Sequence, residues 1–190
     1  MFDFNSFWHA HTPILSILIP AFTSFLLVLL GNPGAGSLKQ DWRQPWRRGI
    51  SLGSALLGLI TAISYLMIAN TGQITVYQLG EWSAPFGIVL VLDRLSAFML
   101  VLTYALAVPV IWYASDNWDT RGRYFHTMFH FLLMGLTGAF LTGDLFNLFV
   151  FFEVLLISSY GLLLHGGGKL RTKAGLHYVL LNLLGSAIFL

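Results

Sequence analysis

The sequence has no cysteine and very little charge. Only 9% of its 190 residues are Asp, Glu, Lys or Arg, whereas an ordinary soluble domain has about 25%. The absence of cysteine excludes disulfide bonds, thiolate nucleophiles and cysteine-ligated metals. The low charge excludes an ordinary soluble enzyme and a disordered chain, because so few polar groups can neither coat a core nor solvate a coil. The ten basic residues are too few and too scattered to indicate a nucleic-acid partner.

Apolar residues dominate instead. They make up 56% of the chain, 15% of the residues are aromatic, and the mean hydropathy is +0.74. A bilayer core of about 30 Å needs roughly 20 apolar residues in a helix. The chain therefore predicts an all-α polytopic membrane protein with about six transmembrane helices. The candidate spans lie at about 12–31, 48–69, 93–115, 124–143, 145–164 and 174–190.

The segment at about 70–92 differs from these spans. Its apolar residues alternate imperfectly with polar ones, and Gly80, Pro85 and Gly87 interrupt the run. Such a pattern is typical of a short β-hairpin or an irregular cap on the membrane surface rather than of a further helix. We therefore expect a hairpin-like cap here.

The basic residues predict an orientation. Lys and Arg favour cytoplasmic loops, and alternate loops hold nine of the ten basic residues. The N-terminus is therefore predicted to face outward, which places the 70–92 cap on the extracytoplasmic side. The nine residues are Lys39, Arg43, Arg47, Arg48, Arg121, Arg123, Lys169, Arg171 and Lys173.

Glu153 is the candidate functional residue, because it falls near the centre of the fifth span among Phe, Val and Leu residues. A charge at that depth costs at least about 2.5–3.5 kcal/mol. Burial favours the protonated carboxyl, and an approaching cation favours the ionised one. Glu153 is thus predicted to carry a proton. The alternative is a structural glutamic acid that hydrogen-bonds a neighbouring helix. All three lysines are expected in loops, so none is available as a partner at mid-membrane depth.

Three histidines are weaker candidates for the same proton path. His126 and His130 are four residues apart and so share a face of the fourth span. They suit cytoplasmic proton uptake, or else they only pack against the adjoining loops. No carboxylate is expected beside them, which argues against a metal site. His177, with Asn182, would extend a polar path along the sixth span, unless it only bonds a neighbouring helix.

Three segments of the chain resemble one family. LTGDLFNLFVFFEVLLISSYGLLL at 141–164, YQLGEWSAPFGIVLVLDRLSAFML at 77–100 and KAGLHYVLLNLLGSAIFL at 173–190 resemble the D-type subunit of the Mrp-type (also Pha or Sha) multisubunit monovalent cation/proton antiporters. The wider superfamily includes antiporter-like membrane subunits of NADH:quinone oxidoreductase and of membrane-bound hydrogenases.

The resemblance implies a longer protein. Such subunits have about fourteen helices, so this chain would be an N-terminal portion with an incomplete antiporter-like fold. Residues 1–143 would form helices 1–4 with the hairpin. Residues 144–190 would begin the proton-translocating domain, with helices 5 and 6. The family's key glutamate falls on Glu153, and its lysine partner on the seventh helix would lie beyond Leu190.

The function implied is exchange of sodium or another monovalent cation for protons, within a hetero-oligomeric complex of a bacterial inner membrane. The resemblance implies no bond-making catalysis, no cofactor and no resident metal. The alternative is a proton-pumping membrane subunit of a redox complex of the NADH:quinone oxidoreductase or hydrogenase type. A purely structural membrane subunit is the third possibility.

Overall fold

The computed structural model describes residues 4–31, 42–82 and 87–189. These residues form six α-helices, two short strands and one 3-10 turn at Leu79–Glu81, and the α-helices follow the order that the sequence predicts. The helices are α1 (Phe4–Leu29), α2 (Gln44–Asn70), α3 (Arg94–Ala114), α4 (Phe125–Leu141), α5 (Leu145–Leu163) and α6 (Lys169–Phe189), and the strands are β1 (Thr75–Gln78) and β2 (Val89–Leu92).

The prediction of an all-α membrane protein is confirmed. Among the described residues, four helices rather than the predicted six are long and apolar enough to cross a bilayer: α1 from His11, α2, α3 and α5. Helix α4 is apolar but has only 17 residues. The prediction that all lysines lie in loops is wrong, because α6 begins at Lys169 and so includes Lys169 and Lys173. Three glycines with positive φ, residues 166–168, place the turn earlier than expected. Lys39 lies outside the described residues.

The segment between α2 and α3 contains a two-stranded antiparallel sheet. Thr75 of β1 pairs with Leu92 of β2, and Gln78 pairs with Val89. Residues 83–86, within the connection, lie outside the described residues. Both strands contact the bundle: the Tyr77 hydroxyl oxygen of β1 lies 2.9 Å from Nδ1 of His11 in α1, and Leu90 and Leu92 of β2 are buried. Its position as a cap outside the membrane stays a prediction.

Polar side chains determine where two of the helices begin. Asp93 accepts a hydrogen bond from the backbone N–H of Ser96, and the Ser96 hydroxyl faces the Asp93 backbone N–H in return. This capping box satisfies two donors at the start of α3. The hydrogen bond from the Ser96 backbone N–H, together with the Ser96 hydroxyl, holds the pKa of Asp93 below its usual value. Asp144 caps α5 in the same way, by accepting from the N–H of Asn147.

The core lies where α1, α2, α3 and α5 surround α4. Gly58 of α2 lets Tyr104 of α3 approach, since a Cβ at Gly58 would overlap the Tyr104 ring. Gly135 and Gly138 of α4 likewise allow that helix to approach α5 closely. Small residues thus allow the helices to pack closely, as in other membrane bundles.

Helices α5 and α6 lie at the edge of the described bundle. The buried residues of α5 are Asn147 and Ser158, and in α6 only Gly175 is buried. Large apolar side chains on both helices are exposed, among them Phe146, Ile157 and Leu181. These faces suit lipid or further protein. The predicted division of the chain at 143/144 stays a prediction.

Three connections meet at one end of the bundle. Arg43 donates to the carbonyl of Leu30, Arg48 bonds Asp119, and His165 bonds the carbonyl of Trp118. The first contact lies within the α1–α2 connection, the second joins α2 to the α3–α4 connection, and the third joins the α3–α4 and α5–α6 connections. We call this end the basic end, because the described arginines other than Arg94 lie there. Arg94 lies at the opposite end and donates to carbonyls at the end of α2.

Candidate functional site

Glu153 lies in the middle of α5. It is eight residues from the first residue of the helix and ten from the last, which corresponds to about 12 Å and about 15 Å. Its side chain is half-buried. The structure therefore places the carboxyl at mid-helix, away from either helix end.

The Glu153 carboxyl faces α6 rather than the bundle core. The hydroxyl of Ser186 donates a hydrogen bond to its Oε1 atom. Between the two helices lies an open groove of about 300 Å³, which Glu153, Ser186 and Asn182 line together with apolar side chains. The carboxyl thus has one polar partner and space beside it for water or a cationic group.

His177 is not part of this groove. Its ring is exposed, and its Nδ1 atom lies 2.8 Å from the carbonyl oxygen of Lys173 on the same helix. Asn182 does line the groove. Of the polar path predicted along α6, the structure therefore brings Asn182 to Glu153 and leaves His177 on another face. The role predicted for His177 stays a prediction.

A second polar cluster, separate from Glu153, lies between α2 and α4 near the basic end. His126 and His130 are both buried and both contact Ser51 of α2. The Ser51 Oγ atom lies 3.0 Å from Nδ1 of His126 and 3.0 Å from Nε2 of His130. Because the histidines share one face of α4, a single hydroxyl connects them.

Asp119 completes this cluster from the loop after α3. Its carboxylate lies 3.1 Å from Nε2 of His126 and accepts two hydrogen bonds of 2.8 Å from the Arg48 guanidinium. Gln44 donates to the same carboxylate at 2.5 Å. The expectation that no carboxylate accompanies the histidines is therefore wrong. The loop turns back at Asn117, which has a φ of 68°, and thereby buries Asp119.

Burial disfavours a charged Asp119, but its hydrogen bonds outweigh this effect. Those from Arg48 and His126, with the charge of Arg48, lower its pKa to about 2. Asp119 is therefore an ionised acceptor at neutral pH. Sequence reasoning missed this residue, because an acidic residue in the loop DNWDTRGR resembles any solvated one. Its place next to a Trp and just before the histidine-bearing helix was the only signal.

The described residues contain no cluster of three or more His, Asp and Glu side chains that could hold a metal ion. The chemistry that both polar groups support is reversible proton binding. Glu153 is a carboxyl in an apolar groove, and the Asp119–His126–Ser51–His130 chain is a continuous series of hydrogen bonds.

No protein-family model matches the chain. Among curated proteins, it is 50% identical over 188 residues to a protein of Rhizobium meliloti that is named as the D-type subunit of a probable K+/H+ antiporter. It is 40% identical over 180 residues to the D-type subunit of the Na+/H+ antiporter of Alkalihalophilus pseudofirmus. The matches cover 96% and 93% of this chain but 33% and 34% of the relatives. The chain thus spans about a third of the length of these relatives.

Two solved structures share the fold. A chain of the Mrp complex from Dietzia sp. matches with a TM-score of 0.75 and 29% identity, over 92% of this chain and 33% of that one. A chain of the archaeal membrane-bound sulfane sulfur reductase, a respiratory complex, matches with a TM-score of 0.77 and 24% identity, over 92% and 34%. The second similarity shows the fold alone.

Proposed function

We propose that this chain, which is related over nearly its whole length to D-type antiporter subunits, works as part of such a protein in a multisubunit monovalent cation/proton antiporter. The sequence identity to two of these subunits carries the proposal. In it, Glu153 binds and releases the transported proton, and His126 and His130 belong to the path toward the basic end. His177, which lies outside the groove, is a further candidate for the same proton path. The partners are the other antiporter subunits, the cation, the proton and the lipid bilayer.

The position of Glu153 supports its role. A fixed charge at mid-membrane depth costs at least about 2.5–3.5 kcal/mol, so an ionised carboxyl there needs a cation or water beside it. The groove beside it leaves space for such a group. A cation that enters would favour release of the proton, and its departure would favour uptake. This alternation couples cation movement to proton movement.

Replacing Glu153 with Gln tests this role. Gln has nearly the same shape but cannot carry a transferable proton. In the full-length subunit, expressed with its complex in an antiporter-deficient host, Glu153→Gln should lower the rate of Na+- or K+-driven proton movement in inverted vesicles by at least about tenfold. Glu81→Gln, at the only other glutamate of the sequence, is the matched control. Normal exchange by an assembled Glu153→Gln complex would leave only a structural role.

The second candidate is a proton-pumping membrane subunit of a redox complex. The sequence resemblance leaves it open, and a chain of a respiratory complex has the same fold. The subunits that co-purify with the full-length protein discriminate between the two. Peripheral flavin and iron–sulfur proteins would support the redox complex, whereas small membrane subunits alone would support the antiporter.

The proposal includes a bacterial inner membrane, with the basic end in the cytoplasm and the N-terminus outside. Because the chain has no cysteine, single cysteines can test this. In spheroplasts, Gln73→Cys near the sheet should react with a membrane-impermeant maleimide, whereas Asp116→Cys at the basic end should react only after permeabilisation. Both side chains are exposed in the structure. The reverse labelling pattern would invert the orientation.

A further inference from the structure

Four buried side chains form one hydrogen-bonded chain from the loop after α3 into the bundle core. Asp119 Oδ2 lies 3.1 Å from His126 Nε2, and His126 Nδ1 lies 3.0 Å from Ser51 Oγ. The same Oγ atom lies 3.0 Å from His130 Nε2. His130 and Ser51 are 0% exposed, Asp119 3% and His126 5%. The chain is therefore shielded from lipid and bulk water along its length.

The ionised carboxylate of Asp119 determines where each hydrogen of this chain lies. A carboxylate only accepts, so Nε2 of His126 carries a hydrogen. In a neutral His126, Nδ1 is then bare and accepts the single hydroxyl hydrogen of Ser51. The Ser51 oxygen accepts in turn from Nε2–H of His130. Nδ1 of His130 is consequently a bare acceptor, and no described residue hydrogen-bonds this buried atom.

One proton that arrives at Nδ1 of His130 can pass along the chain. His130 gives its Nε2 hydrogen to the Ser51 oxygen, while Ser51 gives its hydroxyl hydrogen to Nδ1 of His126. The product is a neutral His130 protonated at Nδ1, a neutral Ser51 and a His126 imidazolium beside the Asp119 carboxylate. One proton has entered, and both Ser51 hydrogen bonds are retained with their direction reversed.

We propose that this chain is a proton relay, which holds one excess proton on His126 against Asp119 and exchanges it with the bundle interior through Nδ1 of His130. The inference deepens the proposed function and rests on it, because the relay would connect the transported proton to the basic end. Ser51 is the link that both donates and accepts. Asp119 is a positioning residue, since it fixes the tautomer of His126 and balances the imidazolium charge.

Two observations favour a relay over a purely structural network. A structural network gains nothing from a buried nitrogen without a partner, which costs stability, whereas a relay needs such an atom as its open terminus. At the other terminus, Asp119 and His126 line a cavity of about 10 Å³, close to the smallest space that holds one water. A water there would exchange protons with the Asp119 carboxylate, which accepts the Nε2 hydrogen of His126, and would so connect the chain to the basic end.

The charges around His126 oppose one another. The Asp119 carboxylate, from the loop, favours the imidazolium, whereas Arg48 of α2 pairs with that carboxylate and Arg47 lines the same small cavity. Asp116, from the same loop, acts on Arg48. Helix α1 faces the cavity with Leu27, and His165, from the α5–α6 connection, is directed toward Trp118 and Phe125. The Asp119 carboxylate therefore stabilises the proton on His126, and the charges of Arg48 and Arg47 oppose this stabilisation and make the proton exchangeable.

Ser51→Ala tests the relay in the full-length complex, because it removes only the connecting hydroxyl. We expect the rate of proton movement in inverted vesicles to fall at least about tenfold and its pH profile to change, while the amount of assembled complex stays normal. Ser51→Thr retains a hydroxyl and should restore transport. Ser64→Ala is the matched control on α2, since Ser64 is exposed and bonds only its own helix, at Ile60.

A fully assembled Ser51→Ala complex with the wild-type rate and pH profile would overturn the relay. The same assays separate this outcome from a failure of the proposed function. If Glu153→Gln transports normally, the proposed role of Glu153 is wrong, whatever Ser51→Ala does. If the wild-type complex moves no cations and protons at all, the antiporter proposal is wrong, and the relay is then decided by spectroscopy on the wild-type chain.

Nitrogen-15 NMR of labelled histidine in the membrane-embedded chain reads the protonation directly, including where Ser51→Ala does not assemble. The signals are assigned from His126→Gln and His130→Gln spectra. At alkaline pH, we expect a hydrogen on Nε2 and none on Nδ1 in both residues. On acidification, His126 should become doubly protonated while the hydrogen of His130 moves to Nδ1. A His130 that keeps its Nε2 hydrogen while His126 titrates would contradict the relay.

Discussion

Replacing Asp119 with Ala is expected to destabilise the fold by about 3 kcal/mol. Loss of one partner from a buried ion pair leaves the other uncompensated, which costs about 3–5 kcal/mol, and the lower figure applies because the Arg48 side chain is 30% exposed. Arg48, His126 and Gln44 would all lose their shared acceptor. Thermal unfolding of the purified chain in detergent, followed by circular dichroism, measures the effect.

Asp116→Ala is the control for this substitution, because Asp116 belongs to the same loop but is exposed. An exposed substitution of this kind usually changes the free energy of unfolding by less than about 0.5 kcal/mol. Equal unfolding temperatures for the two variants would show that the buried ion pair contributes nothing to the fold.

The pH dependence of stability gives a second readout for Asp119. Its pKa is lowered to about 2 in the folded chain, from about 3.9 in an unfolded one. The ionised group therefore contributes stability that is complete above about pH 5 and is lost as the pH falls toward 2. Wild type should lose about 2 kcal/mol more than Asp119→Ala over this range. Parallel acid unfolding curves for the two proteins would contradict the assignment.

The second large effect is expected at Gly135, where α4 crosses α5. A Cβ at this position would lie 2.9 Å from the backbone nitrogen of Leu155 and 3.0 Å from its Cα. Backbone cannot move aside as a side chain does, so Gly135→Ala must push the two helices apart, at about 1–3 kcal/mol. Because Leu155 is two residues from Glu153, the displacement should also lower transport by the full-length complex.

Gly53→Ala is the matched control for Gly135→Ala. Gly53 lies within α2, and a Cβ there has no atom within 4 Å. The same substitution should be neutral or stabilise the helix, since Ala exceeds Gly in helix propensity by about 1 kcal/mol. If both variants unfold at the wild-type temperature, the close approach of α4 and α5 does not limit stability.

The helices could be predicted from the sequence because each depends on its own residues. A run of apolar residues long enough to cross a bilayer must satisfy its backbone internally, and a helix does so locally. Periodicity and turn residues likewise indicated a hairpin-like segment at about 70–92, and the structure has strands at 75–78 and 89–92 there. The helix boundaries were predicted less accurately. Three glycines moved the start of α6 to Lys169, and no hydropathy pattern encodes that.

One of the two polar sites could be predicted from the sequence, and the other could not. Glu153 was identifiable because a single carboxyl in a long apolar run violates the pattern around it. Asp119 and Ser51 violate nothing, since a loop aspartate and a helix serine are ordinary in sequence. They acquire a role only where the α3–α4 loop folds back and α2 packs on α4.

By itself, the sequence determined that the chain crosses a membrane, how many helices it forms and which acidic residue lies among apolar neighbours, because hydropathy and helix length are local properties. Only the tertiary structure decided what the polar groups contact: Glu153 with Ser186 of α6, and Asp119 with His126 through a loop that reverses direction. Hydrogen bonds act over about 3 Å, and which distant residues come that close depends on how the helices pack.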